Sequence, residues 1–260
     1  YDGCVRCLGE NIYGERVDGT NNVMITPTQT SSLGTGRTAV TMSAGYTHTC
    51  AILDDGSVSC WGKNDVGQLG DGTTTSRNTP TQTSSLGTGR TAVAIDAGYY
   101  HTCAILDDGS VSCWGKNGNG QLGDGTTTNR NIPTQTSSLG VGRTAVAITA
   151  GLLHTCAILD DGSVSCWGGN GNGQLGDGTT TDKNTPTQTS SLGVGRTAVA
   201  ITAGNSHTCA ILDDGSVSCW GYNGYGNLGD GTYTNRNTPT QTFSLGSVRT
   251  AVAITAGWSH

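Results

Sequence analysis

The sequence predicts an all-β fold assembled from repeated units. One 15-residue segment, HTCAILDDGSVSCWG, starts at His48, His101, His154 and His207, and successive starts are 53 residues apart. Each period also contains further β-prone runs, separated by loops rich in Gly, Ser, Thr and Asn. About four strands in about 50 residues, repeated in tandem, are typical of the blades of a β-propeller.

The repeated segment has the pattern of a β-hairpin. Residues 49–53 and 57–61 are short β-prone runs, and the Asp-Asp-Gly between them is typical of a turn. A three-residue turn that places Gly56 in the left-handed conformation gives a bulged hairpin. This register sets Cys50 directly opposite Cys60.

The opposed cysteines predict one disulfide in each hairpin. In a non-hydrogen-bonded pair the Cα atoms lie about 4.5–5.5 Å apart, which a disulfide spans. Free buried thiols, or a metal site formed with nearby histidines, are the alternatives. Zinc usually takes a closer cysteine pair than one with nine intervening residues. The predicted disulfides are Cys50–Cys60, Cys103–Cys113, Cys156–Cys166 and Cys209–Cys219.

The rest of each period predicts a loop, an edge strand and an inner strand. In the loop after Trp61-Gly62, Leu69 is the expected buried anchor. Residues 78–83 contain a proline, which is tolerated in an edge strand and not in a central one. Residues 91–98 are small or β-branched, which suits a crowded inner strand near a central axis. Each blade is therefore expected to have about four strands.

The two ends of the chain predict a blade that is split between the termini. Residues 2–9 align with residues 55–62, and residues 250–257 repeat the inner strand. Five periods of 53 residues would need 265 residues, and 260 are present. We predict a single β-propeller domain over residues 1–260, with five blades of about four strands. The split blade combines residues 1–47 with residues 250–260.

The split blade lacks its second strand, and three explanations remain open. The natural protein continues beyond His260, a strand from a neighbouring copy fills the position, or the array is not a closed five-bladed ring. Strand donation would make a homo-oligomer or a filament. Cys7 lacks the partner that the other repeats supply, and Cys4 is an additional thiol. Both are candidates for intermolecular links.

Composition predicts an extracellular or cell-surface protein. Ten cysteines, most of them paired by position, indicate an oxidising compartment. The net charge of −6 and the lack of a basic patch argue against nucleic-acid binding. No apolar run is long enough to span a membrane. No signal peptide is visible at Tyr1, so we expect the sequence to begin at a processed end or to be a fragment.

The positions that vary between repeats predict a partner-binding face. Variation concentrates in the two residues before each histidine and in the loop after each Trp-Gly. Strand direction places both segments at one end of the blade, opposite the Asp-Asp-Gly turns. Exposed aromatic residues with Asn and Gly suit a protein or glycan ligand, and neutral loop variation is the alternative. The face comprises Tyr46, Tyr99, Tyr100, Leu152, Leu153, Tyr222, Tyr225 and Trp258.

The sequence predicts no catalytic residue, no metal site and no cofactor. Acid pairs such as Asp54-Asp55 suit turn positions better than calcium ligands or an acid–base pair. Identical copies in every repeat lack the asymmetry of a catalytic site. His48 and its equivalents are expected to make structural hydrogen bonds in preference to binding a metal.

The repeats resemble those of the regulator of chromosome condensation family. The resemblance is carried by AGYTHTCA at residues 44–51, DGSVSCWG at 55–62, Asn64, GQLG at 67–70 and Gly72. It covers nearly the whole chain and implies a β-propeller, which in that family is most often seven-bladed. The cysteine pair in each hairpin departs from the nuclear members and resembles secreted prokaryotic versions. The nucleotide-exchange function of the nuclear founder is therefore not carried over.

These features together predict a non-enzymatic extracellular structural or binding module. The favoured form is one that self-assembles through the incomplete terminal blade. The alternative is a soluble propeller that binds protein or glycan through the aromatic face, as an inhibitor or adhesin. The resemblance supports the alternative, because secreted bacterial relatives include a β-lactamase inhibitor.

Overall fold

The computed structural model describes residues 6–9, 11–15, 19–20, 22, 24–246, 249–258 and 260. These residues form four four-stranded antiparallel sheets and one two-stranded sheet. The chain divides into two compact units, residues 1–117 with 128–135 and residues 118–127 with 136–260. No helix of the described part is long and apolar enough to cross a membrane.

The first unit contains the two-stranded sheet and two complete sheets, named blade 1 and blade 2. The two-stranded sheet pairs β1 (Arg6–Gly9) with β2 (Met24–Gln29). Blade 1 consists of β3 (Ala39–Ala44), β4 (His48–Leu53), β5 (Val58–Gly62) and β6 (Arg77–Gln82). Blade 2 consists of β7 (Ala92–Ala97), β8 (His101–Leu106), β9 (Val111–Gly115) and β10 (Arg130–Gln135).

The second unit contains blade 3 and blade 4. Blade 3 consists of β11 (Ala145–Ala150), β12 (His154–Leu159), β13 (Val164–Gly168) and β14 (Lys183–Gln188). Blade 4 consists of β15 (Ala198–Ala203), β16 (His207–Leu212), β17 (Val217–Gly221) and β18 (Arg236–Gln241). In every blade the strands pair in chain order, so each blade is a simple meander.

The predicted hairpin and its register are confirmed. Ile52 pairs with Val58 and Cys50 with Cys60, and Gly56 has a φ of 76°, in the left-handed region. All four hairpins carry the expected disulfide, with Cα atoms 4.1 Å apart. This separation is slightly shorter than expected and fits a closely spaced non-hydrogen-bonded pair.

Within each unit, a buried tryptophan links the hairpin of the second blade to the blade before it. In the first unit, Trp114 packs with Leu69 and with the Cys50–Cys60 disulfide of blade 1. A Cβ on Gly70 would lie 2.9 Å from the indole ring, so this turn needs glycine to let the ring approach. In the second unit Trp220 packs in the same way on the core of blade 3. Leu69 is fully buried, as the sequence predicts.

The loop that touches this tryptophan is fixed by a buried asparagine. The Asn64 amide nitrogen donates hydrogen bonds to Asp71 Oδ1 and to the Thr75 carbonyl, both at 3.1 Å. Its carbonyl accepts the Leu69 backbone N–H at 2.9 Å. A single side chain therefore satisfies several polar groups of a loop that has no regular structure of its own.

The outer and inner strands lie where the sequence places them. The proline of each repeat lies in the fourth strand of its blade, at the open edge of the sheet, as with Pro80 in β6. A proline there removes a backbone donor and discourages pairing with another strand. Strand β7 at Ala92–Ala97 is the inner strand expected over residues 91–98.

The prediction of a fifth four-stranded blade was wrong. Strands β1 and β2 form only a two-stranded sheet, although Cys7 pairs with Thr28 as Cys60 does with Thr81. Residues 251–256 form no strand, because a ladder needs a partner and no described strand pairs with them. They keep two contacts of an inner strand: Ala251 N donates to Gly215 O at 2.9 Å and Ala256 N to Thr202 Oγ1 at 3.1 Å.

Of the two cysteines predicted to form intermolecular links, one is among the described residues. Cys4 lies outside the described residues. Cys7 lies in β1 and is half-buried. The proposed role of both residues as intermolecular thiols stays a prediction.

Candidate partner-binding face

Backbone hydrogen bonds bring the two variable segments of every blade together. The residue after the Trp-Gly of a hairpin donates its N–H to the carbonyl of the residue before the histidine. The four bonds are Lys63 to Thr47 at 2.8 Å, Lys116 to Tyr100 at 2.9 Å, Gly169 to Leu153 at 2.7 Å and Tyr222 to Ser206 at 2.8 Å. The sequence-based inference that both segments lie at one end of the blade is confirmed.

Three predicted face residues of the first unit form one aromatic cluster. The rings of Tyr46 and Tyr99 stack with centroids 3.8 Å apart and an interplanar angle of 12°. Tyr100 packs edge-on against Tyr99, with centroids 4.3 Å apart. Tyr46 remains 61% exposed. Blades 1 and 2 thus contribute to a single aromatic surface.

Two lysines extend this surface, and sequence reasoning did not assign them to it. The Lys116 ammonium lies 5.0 Å from the centroid of the Tyr100 ring. The Lys63 ammonium lies 5.8 Å from the same centroid and 5.0 Å from that of Tyr13. These distances are within the range of cation–π attraction. We call Tyr13, Tyr46, Lys63, Tyr99, Tyr100 and Lys116 the tyrosine–lysine cluster.

Burial and hydrogen bonding shift the pKa of two groups of the cluster, the Tyr99 phenol and the Lys63 ammonium. Burial, followed by contacts with Tyr46 and Tyr100, raises the pKa of the Tyr99 phenol well above its usual range. A hydrogen bond with Asp65, at a Nζ–Oδ2 distance of 3.1 Å, raises the pKa of Lys63, and burial opposes this. At neutral pH Tyr99 therefore presents a phenolic O–H and Lys63 an ammonium, both of which donate hydrogen bonds.

The predicted face residues of the second unit form a smaller aromatic contact. Tyr222 and Tyr225 meet edge-on with centroids 5.9 Å apart, and Tyr225 is 71% exposed. Leu152 and Leu153 are half-buried, and the indole of Trp258 is 50% exposed. Among the described residues, no lysine of the second unit lies over these rings.

The acid pairs at the hairpin turns are engaged in local contacts. Arg37 pairs with Asp54 at 3.3 Å and with Asp55 at 2.6 Å. Asp55 also accepts hydrogen bonds from the Ser57 hydroxyl and N–H, which are the main reason that its pKa is lowered. These contacts agree with the turn interpretation. The described residues include no group of three or more His, Cys, Asp and Glu that could hold a metal ion.

The repeated histidine joins neighbouring blades within each unit. His48 Nε2 lies 2.8 Å from Thr102 Oγ1, which donates to the Gln68 carbonyl at 2.9 Å. Because the threonine proton is used for Gln68, His48 Nε2 must be the donor. Burial lowers the pKa of His48 to about 4, so the imidazole is neutral at physiological pH. This is the structural role that the sequence predicts.

The second unit repeats this histidine contact. His154 Nε2 lies 2.9 Å from Thr208 Oγ1, which donates to the Gln174 carbonyl at 3.0 Å. Burial, with a smaller contribution from His207, lowers the pKa of His154 to about 3. The same neutral histidine therefore joins neighbouring blades by a hydrogen bond in both units.

The chain has four-stranded blades in tandem, and aromatic residues in their loops form a surface. These features define a repeat protein of the β-propeller class. The chain belongs to the regulator of chromosome condensation (RCC1) repeat family, whose profile matches residues 55–105, 108–158, 161–211 and 214–260. A second profile for the same repeat matches residues 39–68, 92–121, 145–174 and 198–227.

Curated relatives and solved structures agree with this assignment. The ultraviolet-B receptor UVR8 of Arabidopsis thaliana is 36% identical over 225 residues, which are 86% of this chain and 50% of that protein. The probable E3 ubiquitin-protein ligase HERC4 of Homo sapiens is 33% identical over 77% of this chain and 19% of its own length. Yeast RCC1 (Prp20), solved with Kap60, shares the fold with a TM-score of 0.82 at 22% identity, over 98% of this chain and 60% of that one. The chain thus spans about half the length of UVR8 and a fifth of HERC4.

Proposed function

We propose that this protein is a non-enzymatic binding module that recognises another protein through the tyrosine–lysine cluster. The observation that carries the proposal is the stacked pair formed by Tyr46, which is 61% exposed, and the half-buried Tyr99, with Tyr100 packed against it. Tyrosine is enriched at the energetic centres of protein interfaces because its large ring carries a polar tip and loses little conformational entropy on binding.

The relatives support a binding role in general terms. UVR8 is named a receptor, and yeast RCC1 is described bound to Kap60. HERC4 is named a ligase, but this chain corresponds to only 19% of it. The cluster is formed by the loops that differ most between repeats, whereas the contacts that hold the blades together are repeated. Such a division lets the binding surface change without a change in the fold.

Replacing Tyr99 and Tyr100 together with leucine is expected to weaken partner binding at least tenfold without unfolding the protein. The next repeat carries Leu152-Leu153 at these positions, so the fold accepts leucine there. Loss of two interface tyrosines at a hot spot costs about 2 kcal/mol or more. Affinity is to be measured for peptides selected on the wild-type protein from a random-sequence display library.

The matched control for this experiment is Tyr233→Leu. Tyr233 is 76% exposed and lies outside the predicted face, so its replacement should leave affinity unchanged. If the double variant bound as tightly as the wild type, or if both variants lost affinity equally, the cluster would not be the binding site.

We further propose that the protein works in an oxidising compartment, at the cell surface or outside the cell. The four hairpin disulfides support this location, because such bonds persist mainly in oxidising environments. The proposal predicts that protein isolated from its natural source under thiol-blocking conditions has no alkylated cysteine at the eight hairpin positions. Alkylation at those positions would contradict it.

A second candidate function is self-association through the incomplete sheet. Strands β1 and β2 keep the register of the outer half of a complete blade, as the Cys7–Thr28 and Arg6–Gln29 pairs show. In the complete blades the strand equivalent to β1 has a neighbour on each side. A strand from a second copy, added beside β1, would restore the four-stranded pattern.

Light scattering with the disulfides intact tests self-association. A mass that rises above 26.5 kDa with concentration is the expected result. Replacing Arg6 in β1 with proline should return the mass to that of one chain, because proline removes a backbone donor. A mass near 26.5 kDa at all concentrations would exclude this candidate.

A further inference from the structure

We propose that the tyrosine–lysine cluster selects an acidic peptide segment, whose carboxylate pairs with Lys116 and whose neighbouring apolar side chain lies on the Tyr46–Tyr99 stack. This inference rests on the proposed function, and it names the chemistry of the partner. The cluster combines a flat aromatic surface with two ammonium groups that converge on one ring.

The placement of two ammonium groups near the Tyr100 ring favours the binding of an anion. Lys63 and Lys116 lie 5.8 Å and 5.0 Å from the centroid of the Tyr100 ring. An ammonium group that lacks an ion pair and lies near a second ammonium is stabilised when an anion binds to it. The faces of the ring attract the cations but cannot neutralise them.

The carboxylates near the cluster leave one of these charges without a partner. Asp65 pairs with Lys63 at 3.1 Å. Glu15 uses Oε2 to accept the backbone N–H of Tyr13 at 2.9 Å. Lys116 makes no ion pair with any residue that the structure describes, and it is half-buried against Tyr100. Lys116 is thus the ammonium of the cluster that has no ion-pair partner among the described residues.

The arrangement favours a carboxylate over a neutral ligand. A partially desolvated ammonium gains more from a charge-assisted hydrogen bond than from a neutral acceptor. The exposed Tyr46 ring beside it supplies an apolar contact that a peptide side chain fills. A neutral glycan would use the stacked rings and leave the Lys116 charge unpaired.

Selection from a random-sequence peptide library tests this inference. Peptides selected on the wild-type protein are expected to be enriched in Asp and Glu next to an apolar residue. Affinity for those peptides should fall about tenfold or more in Lys116→Gln, which is the usual loss for a hydrogen bond to a charged group. It should also fall as ionic strength rises, because salt screens the exposed charges.

The charge-matched control is Lys183→Gln. Lys183 pairs with Asp177 in the second unit and lies outside the cluster, so its replacement removes the same charge without touching the surface. The fold tolerates the loss of the Lys116 side chain, because Gly169 occupies the equivalent position in the next repeat. Equal losses in both variants would reduce the effect to net charge and overturn the inference.

The outcomes separate this inference from the proposed function. If the selected peptides depend on Tyr99 and Tyr100 but are not acidic, or bind Lys116→Gln normally, the cluster is a binding site and the acidic partner is wrong. If neutral oligosaccharides bind at the tyrosines and acidic peptides do not, the same conclusion holds. If no ligand depends on the tyrosines, the proposed function fails and this inference fails with it.

Discussion

Replacing Trp114 with alanine is expected to lower the free energy of unfolding by about 3–5 kcal/mol. The side chain is fully buried and packs on the disulfide and on Leu69 of the preceding blade. Its removal leaves a cavity at the contact between two sheets, where neither sheet can collapse without breaking its own ladder. The indole N–H has no hydrogen-bond partner among the described residues, so the loss reflects packing alone.

Urea unfolding of Trp114→Ala beside Tyr225→Ala measures this effect. Tyr225 is an aromatic residue of the same class but is 71% exposed, so its truncation should cost less than about 0.5 kcal/mol. A cost for Trp114→Ala no larger than that of Tyr225→Ala would mean that the blade junction is not the main packing contact of the first unit.

Acidification between pH 6.5 and pH 4 is expected to destabilise the protein through its buried histidines. Burial lowers the pKa of His48 from 6.5 to about 4. The unfolded chain therefore binds a proton in this range that the folded chain does not, so stability falls as pH falls. The loss from His48 reaches about 3 kcal/mol at pH 4, at about 1.4 kcal/mol per pH unit.

The carboxylates act in a separate pH range. Burial raises the pKa of Asp230, but hydrogen bonds from Thr232, Arg236 and Asn223 outweigh it and hold the pKa at about 2. The stability that Asp230 contributes is complete above about pH 4 and is lost as the pH falls towards 2. Losses between pH 6.5 and pH 4 therefore report mainly on the histidines.

Two variants isolate the histidine contribution. His48→Gln should be less stable at pH 7 but should show a smaller slope of unfolding free energy against pH, by about 1.4 kcal/mol per unit. Thr102→Val removes the hydrogen bond and keeps the buried imidazole, so its slope should match the wild type. If His48→Gln kept the full slope, the buried imidazole would not be the source of the acid sensitivity.

The blade interiors could be predicted from sequence because their determinants are local. The alternation of residues 49–53 and 57–61, with Gly56 at the turn, sets the register and therefore the Cys50–Cys60 pair. The edge position of β6 follows from Pro80. Each of these features depends on residues a few positions apart. Every tandem repeat with the same residues therefore adopts the same hairpin and edge strand.

The features that sequence reasoning missed depend on contacts between repeats. The prediction of a fifth blade was wrong because residues 251–256 have inner-strand character, but no strand in the described part of the chain pairs with them. Lys63 and Lys116 belong to the face through rings supplied by other segments. Tyr13 occupies the loop position of Tyr225 in the first period, and aligning that loop would have placed it at the face.

Each hairpin disulfide closes within its own period, across a sequence separation of 10 residues. Eight cysteines could pair in 105 ways, but the nearest partner is also the native one. Duplication or deletion of a whole period would therefore carry a matched cysteine pair with it. The tryptophan and histidine contacts between blades are the same in both units, so a new neighbouring blade would meet the same packing surface. Blade number in such a chain can change by recombination without leaving an unmatched thiol in the added or lost unit.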